Sequence, residues 1–321
     1  MFPREFPIGL YGVPSPSDIP EIAAAGFSHI LPASDELVEQ KALAKAAATA
    51  SIAFVAIPPS PPTSDYMAAI RPVSAWYLSD EPDVNHVSPG DIQRQAEEIR
   101  RRAPASKIVL VVGNGIRAAD FSKSVDAVLV DWYPVPHLPL SSLGDQITSA
   151  RLSGPGKPII AVLQAMDWRD YQQRDPHKPR VGRFPTLLEM RFMAYQAIVR
   201  GAAGVYFFEF RKRSTPGKTL LDSPEQWQAL RRISLELRTL KSFLESGEGE
   251  PLKLEGLEGM RWLRSRREIV VLVNPGPGPQ RLPERFLGPR FKAVFENRIN
   301  PREALPAGLL DANRAIVLVG G

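Results

Sequence analysis

"VSAWYLSDEPDVNHVSPGD", from Val73 to Asp91, decides how this chain is read. Its first half is apolar on both parities, through Ala75, Trp76, Tyr77 and Leu78, which suits a strand buried on both faces. Its second half opens a helix that runs to about Arg102. Ser88 can cap it, Pro89 takes the first helical position, and Asp91 sits where the helix dipole favours negative charge. Between the two the chain turns on Asp80, Glu81, Pro82 and Asp83. A buried strand, an acidic turn and a capped helix make one β/α unit, and parallel strands require such a crossover.

The same unit recurs on both sides. Before it come "PIGLYGV" with a short helix ending at Gly26, "SHILPA" with a helix from Ser34 to Ala50, and "IAFVAIPP" with a helical stretch at Ser64–Ile70. After it come "KIVLVVGN" with a turn of helix at Ala118–Ser122 and "DAVLVDWYP" with a helix at Leu143–Leu152. "KPIIAVLQAMD" then leads to a helix from Thr186 to Arg200, and "GAAGVYFFEF" to one from Ser223 to Leu244. Eight such units in about 240 residues predict a (β/α)8 TIM barrel. A doubly wound open sheet would carry a glycine-rich phosphate turn, and "VVGNG" is too short to be one. From Glu250 the texture changes to short strands with Gly/Pro turns and no helical period. The expected organisation is a barrel over 1–248 and a small all-β domain over 249–321.

Composition narrows the classes. The 321 residues are 44% hydrophobic, enough for a sizeable core. No run approaches the ~18 apolar residues of a membrane span. Met1 is not followed by a charged-then-apolar leader, so a signal peptide is expected to be absent or already removed; a soluble protein, cytoplasmic or exported, fits both cases. Cysteine is absent, which excludes disulfides, thiolate metal sites and a cysteine nucleophile. The net charge of +5 comes from scattered arginines. The densest groups, Arg261–Arg267 and Arg211–Arg213, form no stripe of alternating basic and aromatic residues, so neither nucleic acid nor membrane is an expected partner. The four histidines, His29, His86, His137 and His177, lack metal-ligand spacing, and no metal or cofactor is expected.

In a TIM barrel the reactive groups stand at the C-terminal ends of the strands. Here those ends carry Tyr11 on the first, Asp80 and Glu81 on the fourth, and Asn114 on the fifth. They carry Asp131, Trp132 and Tyr133 on the sixth, Gln164, Asp167 and Trp168 around the seventh, and Glu209 on the eighth. Acids, amides and aromatics on one rim suit a carbohydrate: aromatic faces cover the C–H surface of a sugar, and polar groups bond its hydroxyls. Hydrolysis of a glycoside needs two carboxyl groups, one kept protonated. Glu81 follows an aromatic strand that desolvates it, which suits the acid.

"WYLSDEP", "DWYP", "VLQAMDW", "PTLLEMRFMAYQAIVRGAAGVYFFEF" and the late "IVVLVN" together resemble the TIM-barrel relatives of glycoside hydrolase clan A, over nearly the whole chain. That resemblance implies the general acid/base at the end of strand four, on Glu81. Asp80 falls where the clan usually has an Asn that bonds the 2-hydroxyl. The clan's nucleophile is a Glu ending strand seven, and Gln164 stands there instead. Three readings follow. Glu209 is the nucleophile; or Glu209 or Asp131 activates water in an inverting reaction; or catalysis is lost and sugar binding kept. A fourth class is a lyase or isomerase in which Asp80, Glu81 and Asp131 hold a divalent cation. The substrate-binding candidates are Asp80, Tyr11, Trp132, Tyr133, Gln164 and Trp168, and the polar stretch Asp167–Arg183 could wall a subsite.

Plainer roles compete at each position. Glu81 could be a solvated loop acid, Asp131 an inward acid bonding backbone, and Glu209 the ion-pair partner of Arg211 or Arg213. Thr186-x-x-Glu189 is a capping-box pattern, so Glu189 is assigned to its helix, Arg191 to structural bonds, and Phe192 and Tyr195 to the core.

Overall fold

The computed structural model describes residues 5–171, 181–247, 249–296 and 300–321. Eight parallel strands close into a barrel: β1 (Ile8–Val13), β2 (His29–Pro32), β3 (Ala53–Ala56), β4 (Ala75–Tyr77), β5 (Lys107–Val112), β6 (Ala127–Trp132), β7 (Ile159–Gln164) and β8 (Val205–Phe208). Each pairs with its neighbour in sequence, and β1 pairs with β8. The crossovers carry α1 (Ile19–Ala24), α2 (Leu37–Thr49), α3 (Ser64–Ala69), α4 (Pro89–Arg102), α5 (Ala118–Phe121), α6 (Ser142–Ser153) and α7 (Leu187–Val199); α8 (Pro224–Leu244) follows β8. The barrel expected from the β/α rhythm is the barrel observed.

The continuous apolar runs split by parity. Tyr11, Leu31, Val55, Tyr77, Leu129 and Val162 fill the barrel interior, while Leu10, Ile30, Phe54, Trp76, Val130 and Leu163 face the helices. Both faces of each strand are therefore buried, which is why the strands do not alternate with polar residues.

After α8 the chain forms β9 (Glu250–Leu252), β10 (Glu258–Arg264), β11 (Arg267–Asn274), β12 (Gln280–Arg281), β13 (Phe291–Val294), α9 (Pro301–Ala304), β14 (Leu309–Leu310) and β15 (Arg314–Gly320). Five of these strands make an antiparallel sheet in the order β13-β15-β11-β10-β9, and β12 pairs with β14. In β11, Ile269, Val271 and Val273 pack into the core shared with α7 and α8, while Val270 and Leu272 face a second core built on Phe286 and Phe291. Among the described residues no helix is long and apolar enough to cross a membrane. His177 and the middle of the Asp167–Arg183 stretch lie outside the described residues.

Candidate active site

Glu81 is placed by a loop fastened at both ends. Beyond β4 the chain stays extended, with Leu78 N–H donating to Val109 O at 2.7 Å and Val111 N–H to Ser79 O at 3.3 Å. The Asp83 carboxylate then accepts from Gly113 N–H at 3.1 Å and Asn114 N–H at 3.0 Å, fixing the turn against the end of β5. Glu81 itself has φ +41°, a left-handed conformation that L side chains avoid. Its carboxyl lies over Gly113, where a Cβ would sit 2.8 Å from Oε1 and displace it.

Asp131, near the end of β6, points into the mouth and is 8% exposed. Its carboxyl and that of Glu81 approach closely enough to share a hydrogen bond. Burial pushes the Asp131 pKa well above the usual carboxylate range, and the charges of Glu81 and Asp80 push the same way. One of its oxygens, Oδ1, is buried with no hydrogen-bond partner among the described residues. Asp80 is exposed and accepts a 2.6 Å hydrogen bond from the Tyr77 hydroxyl. Tyr11 packs edge-on against Tyr77, with ring centroids 5.9 Å apart. The structure thus gathers Asp80, Glu81, Asp131, Tyr11 and Tyr77 into one cluster.

Glu209 follows β8 through a cis peptide bond after Phe208 and is 2% exposed. Arg211 Nε donates to its Oε2 at 2.9 Å and Arg213 Nε to its Oε1 at 2.8 Å, and the Tyr171 hydroxyl donates to Oε1 as well. The Arg213 guanidinium lies over the Tyr171 ring at 5.1 Å. Gly12, at φ +72°, leaves space for Oε2; a Cβ there would meet it at 2.6 Å. The ion pairing that competes with a catalytic role for Glu209 is present with both arginines.

Between the two acid groups runs an aromatic wall. Tyr133 stacks on Phe208 at 5.3 Å and 18°, meets Trp168 edge-on at 6.1 Å, and Tyr171 lies 6.0 Å from Phe208. Tyr133 and Trp168 therefore stand where the sequence reading put them, at the mouth.

Two expected substrate contacts are engaged within the protein. Trp132 has the opposite parity to Asp131 and Tyr133, so it packs outside the barrel, its indole N–H donating to Ser142 Oγ at 2.8 Å. Gln164 is fully buried, and its amide is used by backbone: Oε1 accepts from Val135 N–H at 2.8 Å, and Nε2 donates to Val135 O at 2.8 Å and Met166 O at 3.3 Å. It shapes the loop after β6 rather than lining the mouth. Asp167 caps the turn at Trp168–Asp170 and pairs with Arg169. Burial pushes its pKa up, but the Arg169 side chain and N–H outweigh that and leave it low.

Asp80, Glu81 and Asp131 do not form a cation site: among the described residues no three His, Cys, Asp or Glu side chains are placed to hold a metal. A groove of about 480 Å³ between α1 and α2 is lined by Ile19, Ala42, Ala46 and their neighbours and contains no acid. Sequence reasoning missed Tyr77, Tyr171 and the stapling role of Asp83. Tyr77 was legible, having the inward parity of β4; Tyr171 and Asp83 act across loops, where no periodicity points.

No protein-family model and no curated protein matches the sequence. Solved structures do match. An alpha-amylase from Geobacillus thermoleovorans complexed with acarbose has a TM-score of 0.60 at 11% identity, covering 99% of this chain and 98% of that one. A structure described as a glycoside hydrolase has a TM-score of 0.64 at 12% identity, covering 98% and 92%. A family 51 alpha-L-arabinofuranosidase from Bifidobacterium longum has a TM-score of 0.55 at 11% identity, covering 99% and 96%. At such identities the likeness is one of fold, and the fold, a closed parallel barrel followed by an antiparallel sheet, is one carried by glycoside hydrolases, as the strand-end motifs led one to expect.

Proposed function

We propose that this protein hydrolyses O-glycosidic bonds, with Glu81 as general acid and Glu209 as the opposing carboxylate. The observation that carries the proposal is the Glu81–Asp131 pair, two carboxyl groups close enough to hold one proton between them, at the mouth of the barrel. Glu81 is the half-buried member and Asp131 the buried one, so Glu81 meets the substrate. It gives the proton to the leaving oxygen as the bond to the anomeric carbon breaks. A sugar stacked on the aromatic wall would present its hydroxyls to Asp80.

Asp131 is too close to Glu81 to be the second catalytic carboxyl. Glycosidase pairs stand roughly 5–5.5 Å apart when retaining and about 6.5–9.5 Å when inverting, with an anomeric carbon between them. That leaves Glu209, fed from the other side of the mouth by β8. It either attacks the anomeric carbon or takes the proton of an attacking water. Oε2 accepts only from Arg211 among the described residues and retains a lone pair for this.

One observation favours a sugar-binding barrel without hydrolysis: Glu209 is almost fully buried beneath Arg211, Arg213 and Tyr171. Screening aryl glycosides with wild type, Glu209→Ala, and Glu209→Ala plus azide separates the two. Hydrolysis by wild type, lost in the variant, supports the proposal. Recovery with azide as glycosyl azide places Glu209 opposite the leaving group, and the anomer that wild type releases first tells a nucleophile (retained) from a base (inverted). Sugar binding by both proteins, without turnover of any glycoside, establishes the binding barrel instead.

A further inference from the structure

Four large apolar side chains stand exposed around one arc of the mouth: Val84 at 44%, Ile116 at 60%, Leu138 at 46% and Val181 at 65%. Singly, an exposed apolar residue is ordinary; a contiguous set marks a binding surface. These four lie one each on the segments that follow β4, β5, β6 and β7, which are consecutive strands of the barrel, so their loops adjoin. The loops are fastened to one another. Asp83 ties the first to the second, and His137 Nε2 meets Val181 O at 2.9 Å, joining the third to the fourth.

We infer that this arc is an apolar leaving-group site, which makes the preferred substrates glycosides of apolar alcohols or phenols rather than oligosaccharides. The inference rests on the reading of Glu81 as general acid and deepens it. The point where Gly113 lacks a Cβ is 2.8 Å from both Glu81 Oε1 and Val84 Cγ2. The acid and the first apolar side chain therefore touch the same spot. Whatever hangs from the oxygen that Glu81 protonates is directed along Val84 towards Ile116 and Leu138. A second sugar would need hydrogen-bonding groups there, but three polar side chains of the arc are already engaged with backbone. Asp83 holds Gly113 and Asn114, Asn114 Oδ1 accepts from Ile116 N–H at 3.3 Å, and His137 meets Val181 O. The aromatic wall borders this arc, Trp168 lying 6.4 Å from the His137 ring, and it is there that the sugar would stack.

The test is a series of n-alkyl glycosides, ethyl to hexyl, of the sugar that the aryl screen selects. The alcohols differ little in acidity, so the series reads binding of the chain. A fully buried methylene is worth about fourfold; on this half-open arc KM is expected to fall at least tenfold from ethyl to hexyl. Ile116→Ser and Leu138→Ser, at exposed positions that the fold tolerates, should cut that ratio below threefold, and the disaccharide of the same sugar should react more slowly than the hexyl glycoside. A flat series, or a disaccharide preferred by wild type and Ile116→Ser alike, overturns the inference while hydrolysis stands. If no glycoside turns over, the leaving-group role falls together with hydrolysis, and a hexyl-to-ethyl Kd ratio of ten or more in calorimetry would leave only an apolar binding surface in its place.

Discussion

Glu81 is held in a backbone conformation that costs an L side chain about 1–2 kcal/mol. Such strain persists where the surroundings over-determine it, and here the Asp83 staple does so. Glu81→Gly removes the cost, so the variant should melt higher than wild type, by roughly 1 kcal/mol of stability, while losing activity; a lower melting temperature would show that the loop is not strained. Asp131 makes a second prediction. Its folded pKa is raised by burial and by Glu81 and Asp80. Below the unfolded value near 4 both states are protonated and nothing is lost. As pH rises from there towards the folded pKa, the unfolded chain has released a proton that the folded one keeps, and stability falls by up to about 1.4 kcal/mol per pH unit. Asp131→Asn should therefore gain on wild type as pH rises above 4 in thermal melts, levelling off once the folded carboxyl ionises; a constant difference would mean Asp131 titrates normally. Asp80, Glu81, Asp131 and Glu209 could be named from strand ends alone. The misplacement of Trp132 was avoidable, because Asp131 and Tyr133 share a parity that sends it outward. Gln164 ends β7 as read, but the use of its amide by Val135 was not legible, since it turns on a loop closing back over β7.

At the scale of elements, helix α7 decides how the barrel meets the sheet. Every residue from Met190 to Val199 is buried, including Arg191 and Gln196, because the helix has strands on one side and β10, β11 and β15 on the other. An all-round buried helix shows no amphipathic period, so its ends rely on caps. Thr186 Oγ1 accepts from Glu189 N–H at 3.3 Å, and Glu189 Oε2 accepts from Thr186 N–H at 2.8 Å, the capping box that the Thr-x-x-Glu pattern announced. Burial pushes the Glu189 pKa up, but Arg183 and the Thr186 bonds more than offset it. Thr186→Ala should cost about 1 kcal/mol in urea unfolding, with the slope against denaturant unchanged. Element order and type were legible because each barrel strand is doubly buried and most helices are announced by Ser, Thr or Pro, α2 and α5 excepted. The brevity of β4 was not. Its run continues to Leu78 in sequence, but regular pairing stops at Tyr77.

Across the whole molecule, barrel and sheet meet on a buried ionic cluster. Arg191 Nε donates to Glu236 Oε2 at 2.8 Å and Nη1 to Ala315 O at 2.6 Å, while Nη2 pairs with Glu296 Oε1 at 3.0 Å. The Tyr195 hydroxyl donates to Glu236 Oε2 at 3.0 Å. One side chain of α7 thus bonds α8, β15 and the segment after β13. Removing it takes from the buried Glu236 its closer cation and leaves Arg232 at 3.3 Å, so Arg191→Met should destabilise by about 3–5 kcal/mol, and adding Glu236→Leu should recover part of the loss. A loss under about 1 kcal/mol in denaturant titration would mean the cluster is open to water. The sequence marks Arg191 as structural by its place inside an apolar helix, but not its partners, which lie 45 and 124 residues away.

The most direct test compares wild type and Glu81→Gln on two glycosides of one sugar, one with a dinitrophenyl leaving group and one with a simple alkyl group. A general acid matters only where the leaving oxygen needs a proton. On the alkyl glycoside the variant should lose about 10²–10⁴-fold in catalytic efficiency, and on the dinitrophenyl glycoside less than about tenfold. Equal losses on both, or none on either, would contradict Glu81 as the acid.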